Sequence, residues 1–285
     1  MERCFCIAGL NWRIVTEEPW EPTGLLSSFE TGAEHWDLTL EYRLCDRLPE
    51  PEGTLIYEDP GMRAYDREGV QLRYGGSLDG GLEHARYCIR REGKLSRVFL
   101  RRSSPGERLS AHRVLDTMEL EHRVVEHSGF LLHASWIDRA GRGILFTAPS
   151  GTGKSTQAEL WRSLRGANVL NGDRAAVFAE PRAEVRGIPF CGSSGIGLPG
   201  TTPLEAIVVL SQAKENHIRR LRGLEAFRRI WEGCSVNVWN REDLDRCART
   251  VTQVLEQVPV YHLACTPDED AVRTLEKVLE KGVKP

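Results

Sequence analysis

Short runs of alternating apolar and polar residues dominate residues 1–105. CFCIAGLNWRIV, WDLTLEYRL, GTLIYE, VQLRYGG, ARYCIRREG and SRVFLRR carry β-branched and aromatic side chains at the spacing of half-buried strands. Turn formers punctuate them: Glu-Pro-Thr-Gly at 21–24, Pro-Glu-Gly at 51–53, Asp-Pro-Gly at 59–61 and Gly-Gly pairs at 75–76 and 80–81. This pattern predicts a β-meander or small sheet, a separate domain or an added layer. After Ser103-Ser104-Pro105-Gly106 the period changes. Ala111, Leu115, Met118, His122 and Val125 recur at three- and four-residue steps and predict a helix over 108–127. FLLHASWI and ILFTA follow as two strands joined by a turn at 138–143. Beyond them ANVL, AAVFAE, EVRGIPF, 204–210 and VPVYHLA read as strands, and 157–164, 223–232, 241–257 and 268–281 as helices. The last helix carries Val272, Leu275 and Val278 on one stripe.

Length adds a domain count. At about 150 residues per domain, 285 residues predict two. We place them at 1–105, for substrate recognition or as an added layer, and 106–285; the class is α/β, of mixed α+β character. A content of 40% hydrophobic and 28% charged residues excludes wholesale disorder. Lys plus Arg number 38 and Asp plus Glu 41, a net charge of −3, which argues against coating nucleic acid or an anionic membrane. No apolar run reaches the roughly 18 residues of a membrane helix, and the N-terminus lacks a basic leader, so a cytoplasmic protein is expected. The cysteines at 4, 6, 45, 88, 191, 234, 247 and 265 show no zinc spacing and are expected to be reduced, mostly buried thiols.

The chemistry concentrates at 148–155, Ala-Pro-Ser-Gly-Thr-Gly-Lys-Ser. This is the Walker A pattern with Ala for its first Gly. It follows a strand and opens a helix, the context that a phosphate-binding loop requires. Gly151 and Gly153 let successive N–H groups turn inward around phosphate oxygens, and the helix start adds partial positive charge. Ser150, Gly151, Thr152, Gly153, Lys154, Ser155 and Thr156 are the candidate nucleotide ligands, with Lys154 on the β- and γ-phosphates and Ser155 on Mg²⁺. No hydrophobic run ending in Asp-Glu follows, and no guanine-reading Asn-Lys-x-Asp occurs.

Leu132-His133-Ala134-Ser135, the segment 143–156, Asn171-Gly172-Asp173 and Glu184-Val185-Arg186-Gly187 together resemble HPr kinase/phosphorylase. They also resemble the wider HPr-kinase-like group, which includes serine kinases of peptide natural-product precursors. The resemblance covers 128–190 and, loosely, the C-terminal helices. It implies the P-loop fold shared with phosphoenolpyruvate carboxykinases. It also implies His133 near the phosphates, Asp173 as base or metal ligand, and Arg186 beside the transferring phosphate. Glu184 joins Ser155 and Asp173 as a candidate Mg²⁺ ligand. The family's acidic pair is reduced here to Gly172-Asp173, and Thr156 stands where the bifunctional enzymes have Glu. The implied chemistry is therefore that of the kinase rather than the phosphorylase, in a chain that forms oligomers.

The residues support those roles independently. Phosphoryl transfer needs positioning and charge neutralisation, which Lys154, Asp173, His133 and Arg186 can supply. The Gly/Ser-rich stretch 189–197 reads as a second anion nest, the floor of an acceptor site or a plain connection. Asp138 reads as a turn residue, Arg219-Arg220-Leu221-Arg222 as a solvated helix face, and Arg228-Arg229 as a contact for an acidic acceptor. The expected function is an ATP- and Mg²⁺-dependent kinase acting on a hydroxyl, foremost a serine of a small protein or peptide. The alternatives are a small-molecule hydroxyl phosphotransferase and a non-catalytic, nucleotide-gated regulatory protein. Neither nucleic acid nor membrane is an expected partner.

Overall fold

The computed structural model describes residues 1–282 and has a mixed α/β architecture in two compact units, Met1–Glu119 and the chain from Leu120 onward. The first unit holds β1 (Glu2–Ile7), β2 (Leu10–Thr16), β3 (Leu38–Cys45), β4 (Thr54–Glu58), β5 (Met62–Arg67), β6 (Val70–Gly76), β7 (Ala85–Glu92) and β8 (Leu95–Arg101). They form one sheet in the order β1-β2-β3-β8-β7-β6-β5-β4. The β2–β3 and β3–β8 pairs are parallel and the others antiparallel. Burial alternates along β2 and β8, as their sequence pattern requires. CFCIAGLNWRIV is two strands rather than one, because Ala8 and Gly9 at positive φ fold it into a tight hairpin. β5 escaped the sequence reading because Arg63, Asp66 and Arg67 dilute its apolar positions.

The helix expected over 108–127 is broken. Ser110 caps α1 (Ala111–Thr117), its hydroxyl accepting from the Arg113 N–H. Tyr42 donates to the Val114 carbonyl at 3.1 Å and ties α1 to β3, within the first unit. Glu119 then takes a φ of 56° and stops the helix. Its carboxylate lies buried between Arg73 and Arg91, at 3.6 and 3.5 Å.

The second unit begins with α2 (Leu120–Glu126), β9 (Gly129–Arg139), β10 (Arg142–Thr147) and α3 (Lys154–Arg165). Then come β11 (Asn168–Asn171), β12 (Arg174–Phe178), β13 (Glu184–Arg186), β14 (Thr201–Gln212) and β15 (His217–Leu221). It closes with α4 (Gly223–Trp231), β16 (Cys234–Ser235), α5 (Arg241–Gln257), β17 (Val260–Cys265) and α6 (Glu269–Gly282). The sheet runs β10-β9-β12-β13-β14-β17-β15, and β10 also pairs with β14, closing a ring. Among the described residues β9 has four neighbours, β11 and β16 off the main path and two that follow one another along it. Its first half pairs with β12 and its second half with β10.

Both faces of the sheet are covered. Along β14, Ile207 and Val209 join a core with Val251 and Val254 of α5. Val208 and Leu210 join another with Trp161 of α3 and Leu275 of α6. A strand buried on both faces reads as a continuous apolar run, which is why EAIVVL lacks alternation. The stretch 219–222, expected on a helix face, belongs mostly to β15, antiparallel to β17. β15 ends the sheet path, and charged side chains are what keep such a strand from pairing further. All eight cysteines are free thiols, but only Cys88 and Cys247 are buried, so the expectation of mostly buried thiols is corrected. No helix among the described residues is long and apolar enough to cross a membrane.

α2 and α5 meet through buried charge. His122 Nδ1 lies 2.9 Å from both carboxylate oxygens of Asp243, which also accepts from Asn237. Glu126 receives Arg123 at 2.8 Å and faces His122 Nε2 at 3.6 Å. Burial pushes the Glu126 carboxyl up, but bonds from His122 and Arg123 outweigh it and bring it down to about 2. A carboxylate held this low stabilises the fold above its unfolded pKa and loses that contribution as it is protonated. Unfolding free energy is therefore expected to fall from pH 4.5 toward 2, by at most about 3 kcal/mol from this group. Glu126→Gln should flatten that slope in denaturant titrations across this range. An unchanged slope would refute the assignment.

Candidate active site

β10 ends at Thr147 and the chain curls through 148–153 before α3 begins at Lys154. Gly151 and Gly153 have φ of 76° and 118°, and at neither is there an atom within 4 Å of where a Cβ would stand. The loop thus faces open space with the backbone turn that only glycine adopts freely. Lys154 is 7% exposed, and its Nζ donates to the carbonyls of Ala148 at 2.9 Å and Pro149 at 3.3 Å. Burial lowers its pKa, and the Asp173 charge works in the opposite direction. Ser155 and Thr156 are exposed on the first turn of α3. Ser150, Gly151 and Thr152 line a cavity of about 830 Å³.

His133 and Arg174 also line that cavity. β9 and β12 set them opposite each other, His133 paired with Arg174. Asp173 stands one residue before β12, its Oδ1 3.3 Å from His133 Nδ1 and its Oδ2 3.6 Å from Arg174. Burial first, and the charge of Lys154 second, lower the His133 pKa, while Asp173 opposes them. The imidazole is consequently neutral near pH 7. The Asp173 backbone is clamped from both ends. Its carbonyl accepts from Ala134 N–H at 2.9 Å, and its N–H donates to Asn171 Oδ1 at 2.9 Å. Asn171 is fully buried, and its amide donates to the Phe190 and Ile188 carbonyls at 2.7 and 3.3 Å. The Gly/Ser-rich loop therefore comes back to the Asp173 turn. A Cβ on Gly192 would lie 2.7 Å from Asp173 Cγ, so glycine is needed for that approach.

Glu184 and Arg186 are placed elsewhere. They pair with each other at 2.7 Å on β13, and the Arg186 guanidinium lies over the Phe178 ring at 3.8 Å from its centroid. Phe178 pairs with Gly129, at the end of β12 away from Asp173. The structure thus brings His133, Lys154 and Asp173 together and leaves Glu184 and Arg186 apart from them.

A family model described as SynChlorMet cassette protein ScmC matches residues 108–280. The chain belongs to the ScmC family. The ScmC match contains every residue of the site described above, and strands β1 to β8 lie outside it. No curated protein matches the chain. Among solved structures, the HPr(Ser) kinase/phosphatase from Coxiella burnetii is similar over 53% of this chain and 98% of its own, at 14% identity and a TM-score of 0.31. A likeness that loose carries no mechanistic argument.

Sequence reasoning missed part of this ScmC-family site. Ser211, Gln212, Cys234 and His262 also line the cavity, as does Arg229, which the sequence marks as a contact for an acidic acceptor. Ser211 Oγ lies 2.9 Å from His262 Nε2, and Gln212 donates to the Gly151 carbonyl at 3.4 Å. No local motif announces them. Ser211, Gln212 and His262 meet because β14 runs parallel to both β10 and β17.

The residues present fit a nucleoside triphosphate. The two glycines form an open cradle, and Lys154 supplies a buried cation at its base. Mg²⁺ fits on narrower terms. Among the described residues no three His, Cys, Asp or Glu side chains gather to hold a metal. Mg²⁺ keeps several waters and uses one or two protein oxygens plus substrate phosphates. The Ser155 hydroxyl and the Asp173 carboxylate are the protein oxygens suited to that; Glu184 is committed to Arg186.

Proposed function

We propose that this ScmC-family chain is an ATP- and Mg²⁺-dependent kinase that transfers the γ-phosphate to a hydroxyl, foremost a serine of a small protein or peptide. The observation that carries the reading is the His133–Asp173 pair, 3.3 Å apart beside a phosphate-binding loop whose Lys154 feels the Asp173 charge. Mg²⁺, when bound, would neutralise charge on the transferring group. The loop amides and Lys154 hold the triphosphate. Asp173 accepts the hydroxyl proton, the neutral His133 orients that carboxylate, and Arg174 faces the same cavity as a further cation. The acceptor would enter through the same open cavity. The sequence resemblance of Leu132–Ser135, 143–156 and Asn171–Asp173 to the HPr-kinase-like group supports the same class of reaction, and the first unit would then recognise the acceptor.

The test is transfer of labelled γ-phosphate from ATP to serine peptides or a cell extract, with wild type and Asp173→Ala. Loss of a general base costs about 10²–10⁴-fold in rate. We expect a loss in that range with nucleotide binding retained. Equal transfer by both proteins would remove Asp173 from the mechanism. Transfer to small molecules but to no peptide would favour the small-molecule phosphotransferase, and tight binding with no transfer a nucleotide-gated regulator.

A further inference from the structure

The ring of strands gives β10 a second flank, which the kinase reading leaves unused. On one side β9 sets Ala134 against Thr147 and delivers His133 and Asp173. On the other, β14 sets Val209 against the same Thr147, and β17 sets His262 against Val209. Two residues beyond Val209 stands Ser211, half-buried, with its Oγ 2.9 Å from His262 Nε2. The next residue, Gln212, bonds to the carbonyl of Gly151. A serine hydrogen-bonded to an imidazole is thereby fastened within one residue of the phosphate-binding loop. Ser211 and His262 both line the cavity that the loop opens into, and Arg229 lines it with them.

We propose that Ser211 is itself a phosphoryl acceptor, with His262 as its base, so that the chain phosphorylates its own nucleotide cavity. This rests on the reading of the loop as an ATP site. Nucleophile and base stand at hydrogen-bond distance, the arrangement that activates a serine hydroxyl. With Ser211 donating, Nε2 is the acceptor and the ring proton sits on Nδ1. Burial, followed by the charges of Arg219 and Arg229, lowers the His262 pKa against the opposing Glu225, so the ring is a free base at neutral pH. In the step, Ser211 Oγ forms a bond to the γ-phosphorus and the bond to the β,γ-bridging oxygen breaks. ADP leaves with that electron pair. The hydroxyl proton passes to His262 Nε2 and then to solvent. The product is a dianion in the cavity that Arg229 lines, and Arg229, which faces Glu232 at 3.6 Å, would exchange that partner to meet it.

The experiment incubates the full chain with labelled ATP and Mg²⁺, without any added acceptor, and maps the phosphorylated residue by mass spectrometry. Ser211→Ala, His262→Gln and Ser235→Ala are compared, Ser235 being another hydroxyl on the cavity wall. Binding of a fluorescent ATP analogue is measured for each protein. The expected result is phosphate on Ser211 in wild type, none there in Ser211→Ala and normal incorporation in Ser235→Ala. Incorporation in His262→Gln should be slower by about 10²–10⁴-fold. Label on other residues only, label undiminished in Ser211→Ala, or an unlabelled wild type that binds the analogue would each overturn the proposal and leave the ATP site standing. A wild type that binds no analogue would overturn both.

Discussion

Lys154→Met is expected to lose nucleotide affinity by about 10–10²-fold while leaving the fold intact. The two effects separate because the ammonium does little for the fold. Its bonds are to the carbonyls of Ala148 and Pro149, inside its own loop. Burial lowers its pKa, which means that the folded chain disfavours the charge. Methionine is unbranched and of similar length, and it tolerates the same passage. Removing a buried charge and leaving two carbonyls short of a donor are opposing changes of about 1–3 kcal/mol each, so stability should move little. Calorimetric titration with an ATP analogue, beside thermal unfolding, checks both parts. Unchanged affinity would refute the loop assignment, and a large drop in melting temperature would refute the stability argument.

Asn171→Ala should produce the complementary pattern, a damaged fold and slow transfer with nucleotide still bound. One buried side chain here satisfies four backbone groups: the N–H groups of Asp173 and Arg174 and the carbonyls of Ile188 and Phe190. Truncation leaves them without partners around what was a fully buried side chain. Each buried unsatisfied group costs about 1–3 kcal/mol, and partial rearrangement should bring the total to about 3–5 kcal/mol. Asp173 then loses the turn that holds it against His133, so transfer falls at temperatures where the variant remains folded. The loop 148–153 hangs from β10 and keeps its nucleotide. Asn171→Asp separates the contributions, since it keeps the acceptor oxygen and turns a negative charge toward two carbonyls. Urea titrations and single-turnover transfer would measure the two losses. A variant as stable and as fast as wild type would show that Asn171 is dispensable.

Those two residues show what the chain discloses before it folds. Lys154 stands in a motif whose chemistry follows from local geometry, so strand, loop and helix were readable together. Asp173 was readable as turn chemistry and through its resemblance. The partnership of Asn171 with 188–190 was not, because it joins residues that only the sheet brings together. Ser211 and His262 are harder still: 51 positions separate them, and two parallel strands align them. Glu184 and Arg186 present the opposite case. Their motif is present, yet Phe178 and the ion pair occupy them. Among the elements, α5 was read with its exact bounds from its apolar period, whereas the break at Glu119 depends on two arginines from distant strands. Local pattern carried the elements, and tertiary charge decided where some of them stop.

The double service of β9 has an evolutionary corollary. Its backbone register with β12 sets where His133 meets the Asp173 turn, and its register with β10 sets where the phosphate loop leaves the sheet. One strand is therefore the ruler between the two halves of the chemistry. A residue inserted within 129–139 would turn every later side chain of β9 to the opposite face and shift that ruler by about 3.4 Å. Substitutions in β9 are survivable as long as volume is kept, whereas changes of length are not. Drift in chain length among relatives should gather at Ala140–Gly141, the exposed tip of the turn that follows β9.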